Sequence, residues 1–332
     1  MLRRAGERPE GQAHRAPPRA PGLSGPVMGE AAVRVAAAPV GRRRARLARD
    51  PVVVAVPVGV VMLVLFGLPL LRFLYESFLT SLGMTRAEPP LTVDNYAALF
   101  TSGLAGALAV NSAVIGAATA AVCTVFAVAI AYWLRYRAGR LAVPVSMLLV
   151  ATMFASYLVR IYAWRTLLGA NGVINLGLAQ VGLIDRPLTF LLFNSFAIVI
   201  AETQLYLPLM VLLVYAGFRP LDPAYLELTR DLGYGAFHTW RRVILPLMAK
   251  PITVAALVAF LFASTDWVAP AYLGGTSTVL FGVQIQSSFM VTGDWAAGAA
   301  LSFTMAAAYV LLYGLAMGLL RLARVGDVVW PE

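Results

Sequence analysis

The ionisable side chains inside apolar segments that are long enough to cross a membrane include Arg160, Glu202 and Asp266. A charged group in such a segment is costly and usually faces the interior of a helix bundle or a water-filled cavity. The two carboxylates are therefore candidates for transient contacts with a cationic solute such as an ammonium, and Tyr206 offers a neutral contact. The alternative is structural, because Glu202 would also be satisfied by pairing with Arg160 and would then never meet a solute.

Other kinds of site chemistry are missing from the sequence. The chain has one cysteine, Cys123, and two histidines, His14 and His238, so it offers neither an internal disulfide nor a cluster of metal ligands. It also has no glycine-rich phosphate loop and no nucleophile with a base. We therefore expect no catalytic residue, no bound metal and no cofactor in this chain.

Composition places these residues in a polytopic membrane protein. Of the 332 residues, 60% are hydrophobic and only 13% are charged, whereas soluble domains carry about 25% charged residues. A membrane span needs roughly 20 apolar residues. Six runs in the sequence reach that length, at about 52–75, 107–134, 142–167, 189–217, 251–273 and 297–320. The expected fold class is all-α with six transmembrane helices, the fourth interrupted by Pro208.

The basic charge is concentrated at the N-terminus. Residues 1–50 contain eleven arginines and four acidic residues, and the other 282 residues carry a net charge of only +3. We interpret residues 1–50 as a disordered basic tail beside the membrane rather than a nucleic-acid surface, with Met28 as an alternative start. The apolar run that follows Arg42, Arg43 and Arg44 has no small-residue cleavage site, so we expect it to remain as a span.

The placement of lysine and arginine predicts how the chain crosses the membrane, because these residues are enriched in cytoplasmic loops. With the N-terminus in the cytoplasm, 21 basic residues lie inside and five lie outside or at the outer ends of spans. Both termini and the polar segment 219–250 are then cytoplasmic. The expected organisation is a tail at 1–50, a six-span permeation domain at 51–322 and a short C-terminal segment at 323–332.

The segment 219–250 is polar where its surroundings are apolar, and its pattern predicts two helices joined by a turn. Asp222 followed by Pro223 is a typical helix start, and Gly233 with Gly235 ends that helix. Apolar residues fall at helical spacing on both sides of the turn. They are Leu221, Tyr225, Leu228 and Leu232 in the first helix and Phe237, Trp240, Ile244 and Leu247 in the second.

The ends of the segment and its charges complete this prediction. We expect the second helix to close at Leu245 and Pro246, Pro251 to open the next span, and Glu227 to pair with Arg230 on the first helix. A charged, folded segment beside a membrane needs a soluble partner, so we interpret it as a docking element. The alternative is an interfacial amphipathic helix that only anchors the protein.

The same segment resembles the EAA loop of ABC importer permeases. In that motif a glycine follows a glutamate by six residues, and a Leu-Pro pair comes about a dozen residues later. Glu227, Gly233 and the pair Leu245 and Pro246 stand at those positions. The two alanines of the motif are replaced by Leu228 and Thr229.

The resemblance extends beyond the loop to the spermidine/putrescine (polyamine) type of ABC importer permease and covers about residues 52–322. The stretches that carry it are 156–164, 172–175, 206–210, 266–270, 273–275 and 294–295. It implies a permease subunit with the type I importer fold in a bacterial inner membrane. The implied solute is spermidine, putrescine or a related nitrogen-bearing molecule.

The resemblance also implies partners and residue roles. The partners are a second permease subunit, a cytoplasmic ATPase dimer that binds the ATP, and an extracytoplasmic solute-binding protein. The residues that would couple to the ATPase are Glu227, Arg230, Asp231, Gly233, Leu245 and Pro246. Those that would line the translocation path are Glu202, Asp266, Arg160 and Tyr206.

Other classes stay open beside this one. An ion-coupled secondary transporter would use Glu202 and Asp266 as proton or sodium sites and would work without ATP. An importer permease for a different solute class, or a membrane scaffold whose loop recruits a soluble protein, would also fit. A bulky residue at Gly233 separates these classes, because it should uncouple an ABC permease from its ATPase but leave an ion-coupled carrier running.

Overall fold

The structure is a computed structural model that describes residues 51–81, 87–222, 224–276 and 278–322. The expected tail at 1–50 and the C-terminal segment at 323–332 lie outside these residues. The chain divides into two compact units, Met1–Val61 and Met62–Glu332. The described residues of the first unit form one helical segment, and the site and its surroundings belong to the second unit.

The first two expected spans are long apolar helices. The first, Ala55–Ser77, combines α1 (Pro51–Met62), a π turn (Leu63–Gly67) and α2 (Leu68–Ser77). An antiparallel hairpin follows, with β1 at Leu79–Ser81 and β2 at Ala87–Leu91, and then α3 (Asp94–Thr101) and α4 (Leu104–Tyr136). The 33 residues of α4 make a helix of about 50 Å, longer than the roughly 30 Å hydrocarbon core of a bilayer.

The third expected span, 142–167, lies in a bent pair of helices and is not one continuous helix. After a 3-10 turn at Gly139–Leu141 the chain forms α5 (Ala142–Met153) and then α6 (Tyr157–Leu168), which leads to α7 (Val173–Gln180). The two halves meet at 94°. The break follows from the extended backbone of Ser156, whose ψ of 131° cannot continue a helix.

The fourth expected span is an unbroken helix, α8 (Ser195–Phe218). Asn194 caps it, because its side-chain oxygen accepts a hydrogen bond from the Ala197 backbone at 3.0 Å. The helix continues through Pro208, so the predicted interruption was wrong. Membrane helices tolerate an internal proline when neighbouring groups satisfy the freed carbonyl.

The polar segment contains α9 (Ala224–Asp231) and then a helix that runs without a stop into the fifth span. That helix, Ala236–Thr265, consists of α10 (Ala236–Thr239), a π turn (Trp240–Ile244) and α11 (Leu245–Thr265). The predicted closure at Leu245 and Pro246 was therefore wrong, as was the predicted opening of the span at Pro251. The π turn lets the Leu245 backbone N–H bond to the Trp240 carbonyl, and Pro246, which has no N–H, follows it as a first-turn residue.

The fifth span ends at Thr265 instead of residue 273. Asp266 breaks the helix, and α12 (Val268–Leu273), α13 (Phe281–Met290) and the last span, α14 (Trp295–Leu322), follow. Asp294 caps α14 by accepting a hydrogen bond from the Ala297 backbone at 3.0 Å. Ser81 of β1 donates to the other oxygen of Asp294 at 2.7 Å, which ties the hairpin to the last span. The described residues thus include five helices that could cross a membrane, or six if the bent pair is one span.

The core of the second unit lies between α4, α8 and α11. Small residues on α4 and α11 face large ones on α8, and this lets the three helices approach closely. The buried members include Ala127 and Ala131 on α4, Met210, Val214 and Phe218 on α8, and Ala255 and Ala259 on α11. Two glycines mark the tightest contacts, Gly116 against Ser264 and Gly217 against Pro251.

Candidate functional site: a polar cluster in the bundle and an exposed loop

Glu202 lies on α8 and is fully buried among the membrane helices. Its Oε2 accepts a hydrogen bond at 2.8 Å from the hydroxyl of Thr119, which comes from the middle of α4. Its Oε1 has no hydrogen-bond partner among the described residues. The carboxyl group is therefore only half satisfied, although burial makes an unsatisfied oxygen costly.

Asp266 occupies the break between α11 and α12 and collects several hydrogen bonds there. Its Oδ1 accepts from the Val268 backbone at 2.9 Å, which caps the start of α12. Its Oδ2 accepts from the hydroxyl of Tyr157 on α6 and, at 3.4 Å, from that of Tyr206 on α8. The side chain of Asp266 therefore joins three separate parts of the bundle at one point.

The two carboxyl groups belong to one polar cluster. Glu202 and Tyr206 stand four residues apart on one face of α8, and the Tyr206 hydroxyl donates to Asp266. We call Thr119, Tyr157, Glu202, Tyr206 and Asp266 the polar cluster. Within the described parts of the chain no basic side chain forms a salt bridge to it, so its chemistry is that of an acceptor site for cations or hydrogen-bond donors.

Arg160, which was expected on the translocation path, does not join this cluster. It lies on α6, and its Nη2 donates to the Ala155 carbonyl at 3.2 Å, at the break before that helix. Its Nε and Nη1 are buried without a hydrogen-bond partner among the described residues. The structural alternative, in which Arg160 pairs with Glu202, is therefore not what the structure shows.

Two members of the polar cluster were not singled out from the sequence. Tyr157 carried a usable signal, because it stands in the stretch 156–164 that resembles polyamine-type permeases. Thr119 carried none, because it is one hydroxyl in an alanine-rich helix and its contact with Glu202 joins residues 83 positions apart. Gln204, also on α8, has a different partner: its side-chain oxygen accepts a hydrogen bond from Nε1 of Trp164 at 3.3 Å.

The polar loop presents an apolar face that the other described residues leave exposed. The side chains of Leu228, Leu232 and Phe237 are 57%, 65% and 72% exposed. Glu227 and Asp231 are also exposed. We call these five residues the exposed loop face. The side chain of Arg230 lies outside the described residues, so its expected pairing with Glu227 stays a prediction.

The turn of this loop depends on Gly233. Its φ of 74° lies in the left-handed region, and the Tyr234 backbone N–H bonds to the Thr229 carbonyl at 3.0 Å. This is the hydrogen bond that closes a helix in a Schellman motif. The predicted end of the first helix at Gly233 is therefore confirmed, and glycine suits the position because it adopts positive φ without strain.

The second half of the loop does not present one apolar face, so that prediction was wrong. Ile244 is buried, and Trp240 packs on Tyr132 of α4 with ring centroids 4.9 Å apart. Phe237 and Leu247 point away from the bundle and are exposed. The cause is the π turn, which shifts the register of side chains between Phe237 and Leu247.

The loop is also held to the bundle at its start. Arg135, in the last turn of α4, donates from Nε to the Phe218 carbonyl at 3.3 Å and from Nη2 to the Leu221 carbonyl at 3.0 Å. These carbonyls end α8 and begin the loop, where helix carbonyls lack partners within the helix. The guanidinium group therefore fixes where the loop leaves the membrane helices.

This arrangement of helices has counterparts of known structure, although no family model matches the chain. It resembles a bacterial ABC transporter involved in the import of the acidic polysaccharide alginate, with a TM-score of 0.65 at 17% identity over 83% of this chain and 98% of that one. A second structure, of an alginate ABC transporter in complex with an alginate pentasaccharide-bound periplasmic protein, gives 0.66 at 16% identity over 85% and 98%. The fold is that of an ABC importer permease.

Known sequences are similar over much of the same region. The chain is 31% identical over 245 residues to the spermidine/putrescine transport system permease protein PotB of Haemophilus influenzae, which covers 74% of this chain and 85% of PotB. It is 32% identical over 250 residues to PotB of Escherichia coli K12, covering 75% and 89%. It is 30% identical over 229 residues to the inner membrane ABC transporter permease protein YdcU of that strain, covering 64% and 71%.

The chain therefore belongs to the family of ABC transporter permeases that includes the spermidine/putrescine permease proteins. The expected all-α fold class and the resemblance drawn from the loop are both confirmed. As a member of this family the protein is a multi-pass membrane permease.

Proposed function

We propose that this permease carries a polyamine, spermidine or putrescine, into the cell as a membrane subunit of an ATP-driven importer. The observation that supports this most directly is the similarity to PotB proteins, which extends over 74% and 75% of the chain. The polar cluster agrees with it, because two carboxyl groups that pair with no basic side chain among the described residues suit a cationic solute better than an anionic one.

The exposed loop face is the proposed contact for a cytoplasmic ATPase. Three apolar side chains are left exposed by the described residues and have Glu227 and Asp231 beside them, which is the composition of a protein contact. Gly233 sets the turn between its two halves, and Leu245 and Pro246 lie on the helix that leaves it. ATP would be bound and hydrolysed by the ATPase, so the permease needs no cofactor of its own.

The remaining parts of the importer follow the same proposal. A second, similar permease subunit would complete the translocation path, and an extracytoplasmic binding protein would deliver the solute. Both termini and the loop would face the cytoplasmic side of a bacterial inner membrane, as the distribution of basic residues in the sequence predicts. Solute would pass the polar cluster, with Glu202, Tyr206 and Asp266 as contacts and Arg160 beside the break in the third span.

The test is to purify the tagged, full-length chain from its native membrane in mild detergent, identify its partners by mass spectrometry, and reconstitute the complex in liposomes. Recovery of an ATPase and a second permease, with ATP-dependent uptake of labelled spermidine or putrescine, is the expected result. Uptake by the chain alone without ATP would replace the importer by an ion-coupled carrier. If ATP drives uptake of a different solute and not of a polyamine, the protein is still an importer subunit, but a polyamine is excluded as its solute.

A pair of matched variants tests the loop contact. Replacing Phe237 by Ala should weaken ATPase binding by about ten- to a hundredfold, since burying a Phe side chain is worth roughly 1.5–3 kcal/mol. The control is Phe66→Ala, which removes a phenylalanine that is 62% exposed on the first span, away from the loop. Equal ATPase binding by the two variants would exclude Phe237 from the contact.

A further inference from the structure

A groove runs between α5 and α8 on the surface of the bundle, at the end where α8 leads into the polar loop. Its volume is about 500 Å³. One face of each helix lines it, because the lining residues recur at spacings of three or four. They are Leu212, Tyr215, Ala216 and Arg219 on α8 and Ala142, Val143, Ser146, Met147 and Val150 on α5.

The groove is about as deep as one leaflet of a membrane. Its wall on α5 extends from Ala142 to Val150, which is about 12 Å along a helix that rises 1.5 Å per residue. One leaflet supplies about half of the roughly 30 Å hydrocarbon core. Val143 and Met147 on this wall are 61% and 67% exposed. An acyl chain that enters beside the loop can therefore lie along the groove.

The end of the groove beside the loop is basic. Arg219 directly follows α8, and Arg140 lies in the 3-10 turn directly before α5. Both are exposed, and neither forms a salt bridge within the described part of the chain. The nearby carboxylate of Asp222 instead accepts a hydrogen bond from the Ala224 backbone at 2.9 Å. Two guanidinium groups thus stand where the apolar groove begins, available to an anion.

The position of Arg219 is fixed by its neighbours. Arg135 donates to the carbonyls of Phe218 and Leu221, which flank Arg219 in the sequence, and so holds this turn against α4. Tyr215 lies one turn earlier on the same face of α8, and tyrosine is enriched where helices leave the membrane. A guanidinium group and a phenol hydroxyl at this depth are suitable donors for phosphate oxygens.

A second groove, between α4, α11 and α14, has a different character. It is larger, at about 770 Å³, and the residues described as lining it include no charged one. Its walls contain Ala117, Ala120, Ala121 and Ala256. Rows of small residues in a membrane favour the close approach of another helix, whereas exposed Val and Met side chains hold a helix away. The groove between α5 and α8 therefore suits a flexible chain with an anionic headgroup better than a helix.

We propose that the groove between α5 and α8 binds an anionic phospholipid, with an acyl chain along the groove and the phosphate group at Arg219. The inference uses the proposed function only for orientation, which puts the basic end at the cytoplasmic leaflet, where anionic lipids attract basic residues. It goes beyond that function by assigning a lipid site to the permease. The lipid would hold α5, the first half of the bent span, against the end of α8 from which the loop starts.

The first experiment titrates the purified full-length chain with phosphatidylglycerol or with phosphatidylcholine of the same acyl chains, and native mass spectrometry gives the affinity. Arg219→Gln should weaken phosphatidylglycerol binding about fivefold, the contribution of one arginine near a membrane surface, and leave phosphatidylcholine binding unchanged. Arg186→Gln is the matched control, because Arg186 is also exposed but precedes α8 instead of following it. Equal phosphatidylglycerol binding by the two variants would overturn the proposal.

A second pair of variants tests the groove itself. Ser146→Phe keeps both arginines and fills the path of the acyl chain, so it should weaken binding of both lipids. Ala121→Phe adds the same ring to the second groove and should leave phosphatidylglycerol binding at the wild-type level. Wild-type affinity in Ser146→Phe would mean that the arginines attract lipid without a groove. Displacement of the lipid by inorganic phosphate would indicate a site for soluble anions, and either result rejects the lipid site.

A measurement on the wild-type protein covers variants that fail to fold. The protein is purified from its native membrane with its partners and reconstituted with phosphatidylglycerol that carries a photoactivatable diazirine in one acyl chain. Peptide mapping should find more label at 142–150 and 212–216 than in the exposed first span, Ala55–Ser77. Equal labelling would show an ordinary lipid-facing surface, and unlabelled 142–150 would show that a partner protein covers the groove; both contradict the proposal. Because no transport is measured, the lipid site and the proposed function can fail separately.

Discussion

Replacing Gly217 by Ala should force apart the C-terminal end of α8 and the segment of α11 that packs against it. A Cβ at this position would lie 2.5 Å from both Cβ and Cγ of Pro251 and 3.2 Å from the methyl group of Met248. Carbon atoms pack at about 3.5–4.0 Å, so α8 and α11 must separate locally by about 1–1.5 Å. Met248 can turn away, but the ring of Pro251 is part of the α11 backbone and cannot.

The expected energy is the difference between two opposing effects. Overpacking of this kind costs about 1–3 kcal/mol, while replacing Gly by Ala inside a helix gains about 1 kcal/mol. Gly106→Ala isolates the second effect, because Gly106 is also helical and a Cβ there would meet no atom within 4 Å. Gly217→Ala should therefore be less stable than Gly106→Ala by about 1–3 kcal/mol.

The assay is reversible unfolding of the two purified variants by SDS in mixed micelles, followed by far-ultraviolet circular dichroism under identical conditions. Equal midpoints for Gly217→Ala and Gly106→Ala would refute the reasoning, because they would show that α8 and α11 separate at the loop without cost. A lower midpoint for Gly217→Ala, with Gly106→Ala at or above wild type, is the expected result.

Two further predictions concern the loop. Gly233→Ala should lower the free energy of unfolding by about 1–2 kcal/mol through left-handed backbone strain alone, since φ is 74° and a Cβ would meet nothing within 4 Å. Gly233→Asn should lower it less, and equal unfolding midpoints for the two variants would contradict this prediction. Arg135→Lys should lose the paired hydrogen bonds to the Phe218 and Leu221 carbonyls and lower the free energy of unfolding by about 1–2 kcal/mol. It should also speed amide hydrogen exchange over 218–222, and unchanged exchange would show that the guanidinium group does not hold the loop.

The sequence predicted most of the helices because length and apolar composition alone decide where a chain can cross a membrane. The C-terminal end of α8 and the turn at Gly233 were also within reach, since glycine and the charges around it mark the end of a helix. Glu202 and Asp266 stood out because an acidic residue in an apolar run is rare. Each of these signals is local, so each can be interpreted from the sequence without knowing which other segments pack against it.

The features that were missed depend on contacts between distant segments. The break in the third span falls at Phe154, Ala155 and Ser156, which include no proline or glycine, so composition gives no warning of it. Pro208 and Pro246 were interpreted as interruptions, but each lies in a helix that continues past it. In a bundle, packing against other helices outweighs the local cost of a missing N–H.

One continuous helix, Ala236–Thr265, runs from the exposed loop face to the polar cluster. Its 30 residues make a rod of about 45 Å, and a tilt of about 5° around its midpoint would move both ends by about 2 Å in opposite directions. Phe237 stands near one end and Asp266 directly follows the other. Under the proposed function, a movement of the loop that the ATPase causes would be passed along this helix to Asp266, with the π turn as the one irregular point in it.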